Sequence, residues 1–145
     1  MQAFINFESE LTSCQELMRE HQLILAMIEQ LQLLSSVSEH IEESKFFDLT
    51  TGAIKFICEF ADDYHHAKEE GVLFEALVKP GVLQHCNPIE QMLHEHDMGR
   101  NAVALMKKGL DMRSISLVCE GINNYCHLLS QHIFKEDKIL YPMAE

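Results

Sequence analysis

Helix breakers are scarce in this chain, and their scarcity constrains its fold more than any other feature. The 145 residues contain only three prolines and six glycines, so few positions can end a helix. Apolar residues recur at steps of three and four, for example at Cys14, Met18, Leu25 and Ile28, which is typical of an amphipathic helix. Strand-like alternation is nowhere sustained. The sequence therefore predicts an all-α protein.

Breaker positions and apolar periodicity together predict four helices. They span about Glu8 to Val37, Phe47 to Val78, Pro88 to Lys108 and Ser114 to Leu140. The polar stretch from Ser35 to Lys45 either extends the first helix or connects it to the second. Four helices of this length with short turns predict an up-down-up-down four-helix bundle. We expect one domain over residues 1–145.

Several residues predict where the helices begin and end. Asn87 is a good N-cap, and Pro88 suits the first position of the third helix. Lys79-Pro80-Gly81 is expected to end the second helix, Gly109 the third, and Pro142 to follow the fourth.

Composition excludes several classes of partner. The chain has 23 acidic residues against 11 Lys and Arg, a net charge of −12. Such a surface repels phosphates, which disfavours nucleic acid and anionic membranes as partners. No apolar run approaches the roughly 20 residues of a membrane span, and the N-terminus lacks a signal-peptide pattern. A cytoplasmic protein is expected. Its five cysteines form no CxxC pair, which favours buried thiols over zinc ligation.

Histidines beside acidic residues are the unusual feature of the sequence. One candidate donor set spans all four predicted helices: His21, His66 with Glu70, His96, and His132 with Glu136. Each His/Glu pair is four residues apart and therefore shares a helical face. These groups would be costly to bury without partners, and a cation removes that cost. Imidazole and carboxylate without thiolate suit iron, manganese or zinc.

Simpler interpretations exist for each element of this set. A lone histidine on an apolar stripe, such as His21, is usually an ordinary core or boundary residue. An isolated His/Glu pair on a helix is usually a solvated surface pair. Two such pairs, with histidines on the other two helices, favour a metal site.

Four segments resemble the motifs of hemerythrin-like (HHE cation-binding) domains. They are Arg19-Glu20-His21, the stretch from His65 to Phe74, Glu95-His96 followed by Arg100, and the stretch from His132 to Pro142. The resemblance implies a non-haem di-iron site, with two iron ions per chain, inside a four-helix bundle. Oxygen-carrying hemerythrins have two ligand histidines four apart on the third helix, whereas Met92 and Arg100 flank His96 here. The resemblance thus implies four histidines, two carboxylates and a more open site.

Two ligand choices remain open at this point. His65 and Glu69 have the same spacing as His66 and Glu70 but face about 100° away on an α-helix. The apolar residues Leu73, Phe74 and Leu77 continue the His66 face, which favours His66 and Glu70. On the last helix, the spacing of oxygen carriers selects Asp137, whereas helical geometry favours Glu136. Tyr64 and Tyr125 could line the site or simply pack in the core.

The resemblance implies binding or sensing of a small gaseous ligand, dioxygen or nitric oxide. One alternative is a di-iron redox enzyme acting on peroxide or nitric oxide. It would need an electron donor, and the sequence contains no flavin, haem or nicotinamide motif. A second alternative is an iron-handling protein for storage or repair. The sequence assigns no catalytic residue and no protein or redox partner.

Overall fold

The computed structural model describes residues 13–79 and 88–144, and within them it contains four helices and no strand. Helix α1 spans Ser13–Ser36, and α3 spans Ile89–Asp111. Helix α2, over residues 43–77, begins with Glu43–Phe56, contains the π-helical stretches Ile57–His66 and Glu69–Leu73, and ends with Phe74–Leu77. Helix α4, over residues 115–144, consists of Ile115–Lys135, the π-helical Glu136–Leu140 and Tyr141–Ala144. The predicted all-α class is confirmed.

The polar stretch between the first two helices is divided between them. Helix α1 ends at Ser36, whose hydroxyl donates to the Leu33 carbonyl at 2.6 Å. A turn follows, in which the His40 amide donates to the Val37 carbonyl at 2.8 Å. Helix α2 then begins at Glu43, earlier than the predicted Phe47.

Gly109 does not end α3, contrary to the sequence prediction. The helix continues to Asp111, and the chain turns at Arg113, whose φ of 53° lies in the left-handed region. The Arg113 amide donates to the Leu110 carbonyl at 3.1 Å and the Ser114 amide to that of Gly109 at 2.8 Å. This is a Schellman ending with arginine in the place usually taken by glycine.

Two other predicted boundaries also shift or fall outside the described residues. Helix α4 continues through Pro142 to Ala144 instead of ending at Leu140. Helix α3 begins at Ile89, and the Pro88 carbonyl accepts from the Met92 amide at 2.9 Å. The predicted N-cap Asn87, the breakers Pro80 and Gly81, and the predicted start at Glu8 lie outside the described residues.

The apolar core is divided into two clusters. The larger cluster includes Ile24, Leu31, Phe46, Met106 and Ile122, and the smaller one includes Leu17, Phe74, Met92, Leu140 and Tyr141. Along α1, the buried His21 lies between Leu17 of the smaller cluster and Ile24 of the larger. The same order recurs on α3, where His96 lies between Met92 and Ala102. A polar layer thus crosses the helices between two apolar clusters, consistent with a helical bundle.

No helix within the described residues is long and apolar enough to cross a membrane.

Glycine allows close approach where α3 packs against α4. A Cβ atom on Gly121 would lie 2.8 Å from the Met106 amide nitrogen and 2.9 Å from the Ala102 carbonyl oxygen. On the facing helix, a Cβ on Gly109 would lie 2.7 Å from the Val118 amide nitrogen. These neighbours are backbone atoms, so relief requires the helices to separate.

We expect Gly121→Ala to lower the free energy of unfolding by about 1–3 kcal/mol, because overpacking displaces one helix from the other. Gly52→Ala is the matched control, since a Cβ there meets nothing within 4 Å. It should raise stability by about 0.5–1 kcal/mol through helix propensity alone. Urea denaturation of both variants measures the difference, and equal effects would contradict the close-approach argument.

Candidate metal centre

The polar layer consists of buried imidazoles and carboxylates drawn from all four helices. It contains His21 from α1; His65, His66 and Glu69 from α2; Glu95 and His96 from α3; and His132 and Glu136 from α4. None of these residues exposes more than 5% of its surface. Burial of this kind is unusual for histidine and rare for glutamate.

Seven of these residues form two adjoining groups of donor atoms. One group contains His66, Glu69, His96 and His132, and the other contains His21, His65, Glu69 and Glu136. Within each group, one donor atom from every residue lies within 4.8 Å of all the others. Glu69 belongs to both, so the two groups share a carboxylate.

The π-helical geometry of α2 directs two neighbouring histidines into the layer. His65 and His66 are the last two residues of the π-helical stretch, and their ring centroids are 5.4 Å apart. A π-helix has more residues per turn than an α-helix, which narrows the angle between adjacent side chains. The choice between His65 and His66 that the sequence posed is therefore not exclusive, because both imidazoles face inward.

The structure brings five of the six predicted site residues together: His21, His66, His96, His132 and Glu136. It places Glu70 outside both groups, beside Arg100. The Glu70 carboxylate accepts from Arg100 Nη2 at 3.0 Å and lies 3.1 Å from His96 Nδ1. The inward position belongs to Glu69, which has the same spacing from His65 as Glu70 has from His66. Asp137 likewise stays outside the groups, whereas Glu136 lies within one.

Every inward histidine has a carboxylate beside its outer ring nitrogen, Nδ1. The pairs are His21 with Asp137 at 2.7 Å, His65 with Glu20 at 2.9 Å, His66 with Asp62 at 3.7 Å, His96 with Glu70 at 3.1 Å and His132 with Glu95 at 2.9 Å. Such carboxylates hold the proton on Nδ1 and leave the Nε2 lone pair free for a metal. The Glu70 carboxylate is one of these outer carboxylates, beside Nδ1 of His96.

Cationic side chains pair with most of these outer carboxylates. Lys68 binds Glu20, and Lys135 binds Glu95. Arg100 binds both Asp62, at 2.8 Å, and Glu70, at 3.0 Å, and so connects the carboxylates that support His66 and His96. The residues are therefore arranged in three layers: the inward donors, the outer carboxylates, and Lys or Arg side chains nearer the surface.

Several inward atoms lack the partners that buried polar groups normally have. His65 Nε2, Glu69 Oε1 and Glu136 Oε1 make no hydrogen bond with any described residue. His96 Nε2 faces His132 Nε2 at 3.1 Å, and each of these nitrogens would present a lone pair when its ring carries the proton on Nδ1. A cation at this place would satisfy all of these atoms. The donor set therefore fits a metal, and its nitrogen and oxygen atoms suit iron, manganese or zinc.

The protonation states also suit metal binding. Burial lowers the pKa of His66 to about 3 and lowers that of His132, so both imidazoles are neutral at pH 7. Burial raises the pKa of Glu69, but its contacts with His65 and His96 outweigh that effect and hold it well below the usual value. Neutral imidazoles and ionised carboxylates are the forms that bind cations.

These features define an all-helical protein with a buried histidine–carboxylate cation site. The sequence matches the Hemerythrin HHE cation binding domain family over residues 12–144, and the chain belongs to that family. Searches of curated proteins and of solved structures gave no significant match.

Acid should destabilise the metal-free protein. The pKa values of His66 and His132 are lower in the folded state than in the unfolded one, near 6.5. Below about pH 6.5 the unfolded chain therefore binds protons that the folded chain does not, and folding stability falls. The lowered pKa of Glu69 acts in the same direction below about pH 4.5. Urea denaturation should give a smaller free energy of unfolding at pH 5 than at pH 7.5, and the reverse order would contradict these shifts.

Metal removal should lower the melting temperature of the protein. A cation that binds only the folded state stabilises it by mass action, about 2.7 kcal/mol at a hundredfold excess over Kd. For a chain of this length we expect a difference of about 5 °C or more between the iron-loaded and chelated protein. Circular dichroism melts made with and without chelator measure it. Superimposable melts would indicate that the buried groups satisfy one another without a metal.

Proposed function

We propose that this protein is a non-haem di-iron protein that binds or senses dioxygen or nitric oxide at the buried centre. The observation that carries the proposal is the pair of adjoining donor groups that share Glu69. Two groups with a common carboxylate suit two cations held side by side better than one cation alone. We also infer the up-down-up-down order of the four helices, which places such donors at the centre of a bundle.

The donor atoms suggest how two iron ions would be held. His66, His96 and His132 would bind one ion, and His21 and His65 the other. Glu136 Oε1 lies 2.7 Å from His132 Nε2 and 3.6 Å from His21 Nε2, so it adjoins both sets of imidazoles. Glu69 Oε1 lies 3.2 Å from His65 Nε2 and 3.6 Å from His96 Nε2. Each carboxylate therefore adjoins imidazoles of both sets and would help to hold both ions.

An iron pair, when bound, supplies the electrons that a small diatomic ligand accepts. The chain's own residues hold the donors and exclude water. The Tyr141 hydroxyl donates to Glu69 Oε2 at 2.9 Å and lies 3.3 Å from Glu136 Oε2, which orients both carboxylates. Burial raises the pKa of Tyr141, so this hydroxyl keeps its proton at neutral pH. Phe74 packs on the ring of His96, with centroids 5.7 Å apart, and forms an apolar wall.

Iron content and gas response test this proposal in one experiment. Wild-type protein should bind two iron ions per chain and, when reduced anaerobically, change its visible absorption on exposure to nitric oxide or dioxygen. Glu69→Ala should hold one ion or none, because it removes the donor common to both groups. Glu70→Ala is the matched control. It should keep two ions at saturating iron, with weaker affinity, since support of a ligand histidine typically contributes 10- to 100-fold.

The contrary outcomes separate the alternatives. Two bound ions with no response to either gas would overturn the sensing proposal and favour iron handling. Repeated consumption of peroxide or nitric oxide with an added electron donor would favour the redox enzyme. Loss of both ions in Glu70→Ala, with both kept in Glu69→Ala, would return the ligand role to Glu70.

A further inference from the structure

A cavity of about 110 Å³ lies beside the metal centre, between α2, α3 and α4. His66 and His96 form its inner wall, and Tyr125 from α4 lines it as well. Ala61 contributes to the apolar part of the lining, and Asp62 and Arg100 are at the partly exposed side. The cavity therefore extends from the protein surface to the side of the centre that carries His66 and His96.

Tyr125, which lines this cavity, carries a buried hydroxyl without a hydrogen-bond partner among the described residues. Its side chain is 2% exposed. Burial raises the pKa of Tyr125, so the hydroxyl stays protonated. A buried hydroxyl without a partner is costly, and buried polar groups nearly always find one. The occupant of the cavity is expected to accept this hydrogen bond.

The size of the cavity limits what can occupy it. An apolar cavity of about 150 Å³ is large enough for benzene, and a typical small-molecule pocket measures about 300–1,000 Å³. A space of 110 Å³ is too small for benzene but holds a diatomic or linear triatomic molecule. Its lining includes Tyr125 and the two histidines, and the unpartnered Tyr125 hydroxyl favours a molecule with a hydrogen-bond acceptor.

We propose that this cavity is the access route and binding pocket for a diatomic or triatomic ligand, and that Tyr125 donates a hydrogen bond to it. The inference rests on the proposed function, because it assigns the ligand of the iron pair to the His66 and His96 side. Arg100 fixes the outer edge of the route. It spans from α3 to Asp62 and Glu70 on α2, at 2.8 and 3.0 Å, and joins the two helices across the cavity.

Azide, a linear triatomic hydrogen-bond acceptor, is the probe for the pocket. Tyr125→Phe keeps the ring and removes only the hydroxyl. Azide titrated into oxidised, iron-loaded protein should bind about 3- to 10-fold more weakly to this variant, as expected for one lost hydrogen bond. Its iron content and melting temperature should match the wild type. Tyr64→Phe is the control, because the Tyr64 side chain is 50% exposed and lies outside the lining.

A second variant tests the route itself. Ala61→Leu places three more carbon atoms in the cavity from a residue that is 1% exposed. The rate constant for azide binding, measured by stopped-flow absorbance, should fall by about tenfold or more while two iron ions are retained. Ala53→Leu is the matched control, an equal enlargement on α2 at a buried position outside the lining. It should leave the rate unchanged.

The outcomes distinguish this inference from the proposed function. If azide perturbs the wild-type spectrum, and Tyr125→Phe and Ala61→Leu both bind it as the wild type does, the pocket assignment is wrong and the proposed function stands. If azide and nitric oxide leave the wild-type spectrum unchanged although two iron ions are bound, both fail. If Ala61→Leu does not fold, the affinity of Tyr125→Phe decides alone.

Discussion

The desolvation of five imidazoles and two carboxylates between two apolar clusters is the constraint on which the rest of this bundle depends. Buried polar groups of this kind destabilise a fold unless each has a partner. The outer carboxylates meet part of that need, because one lies beside Nδ1 of every imidazole and four of the five are within hydrogen-bond distance. Five of the chain's 23 acidic residues are used in this way. Several inward nitrogen and oxygen atoms still lack partners among the described residues, and a metal cation would satisfy them.

The periodicity of the sequence predicts the helices and most of the site, because both depend on local spacing. His96 and His132 lie on apolar faces of long helices, and the structure places both inward. The preference for Glu70 over Glu69 assumed an α-helical turn throughout α2. The π-helical stretches of α2 break that assumption, and the residues themselves carry no strong signal for this geometry. The predicted end of α3 at Gly109 was wrong for a different reason. Gly109 packs closely against Val118 inside the helix, and the chain turns at Arg113 instead.

Arg100 supports the site although it belongs to neither donor group. It lies on α3 four residues after His96, and neither it nor Met92, four residues before His96, is a histidine. In this protein the guanidinium instead binds Asp62 and Glu70, and both of these adjoin inward histidines. The fifth imidazole comes from α2, through the neighbouring pair His65 and His66. Helix α2 therefore supplies two imidazoles, and Arg100 holds the carboxylates beside His66 and His96.

The π-helical stretches of α2 also make the number of residues in that helix critical for its packing. The π-helical stretches begin at Ile57, which packs in the larger cluster, and end at Leu73, directly before Phe74 of the smaller cluster. Removing one residue between them would rotate everything that follows by about a quarter of a turn. Phe74 and Leu77 would then leave the smaller cluster, even if every histidine were kept. The metal centre therefore depends on the number of residues in α2 as well as on the identity of its ligands.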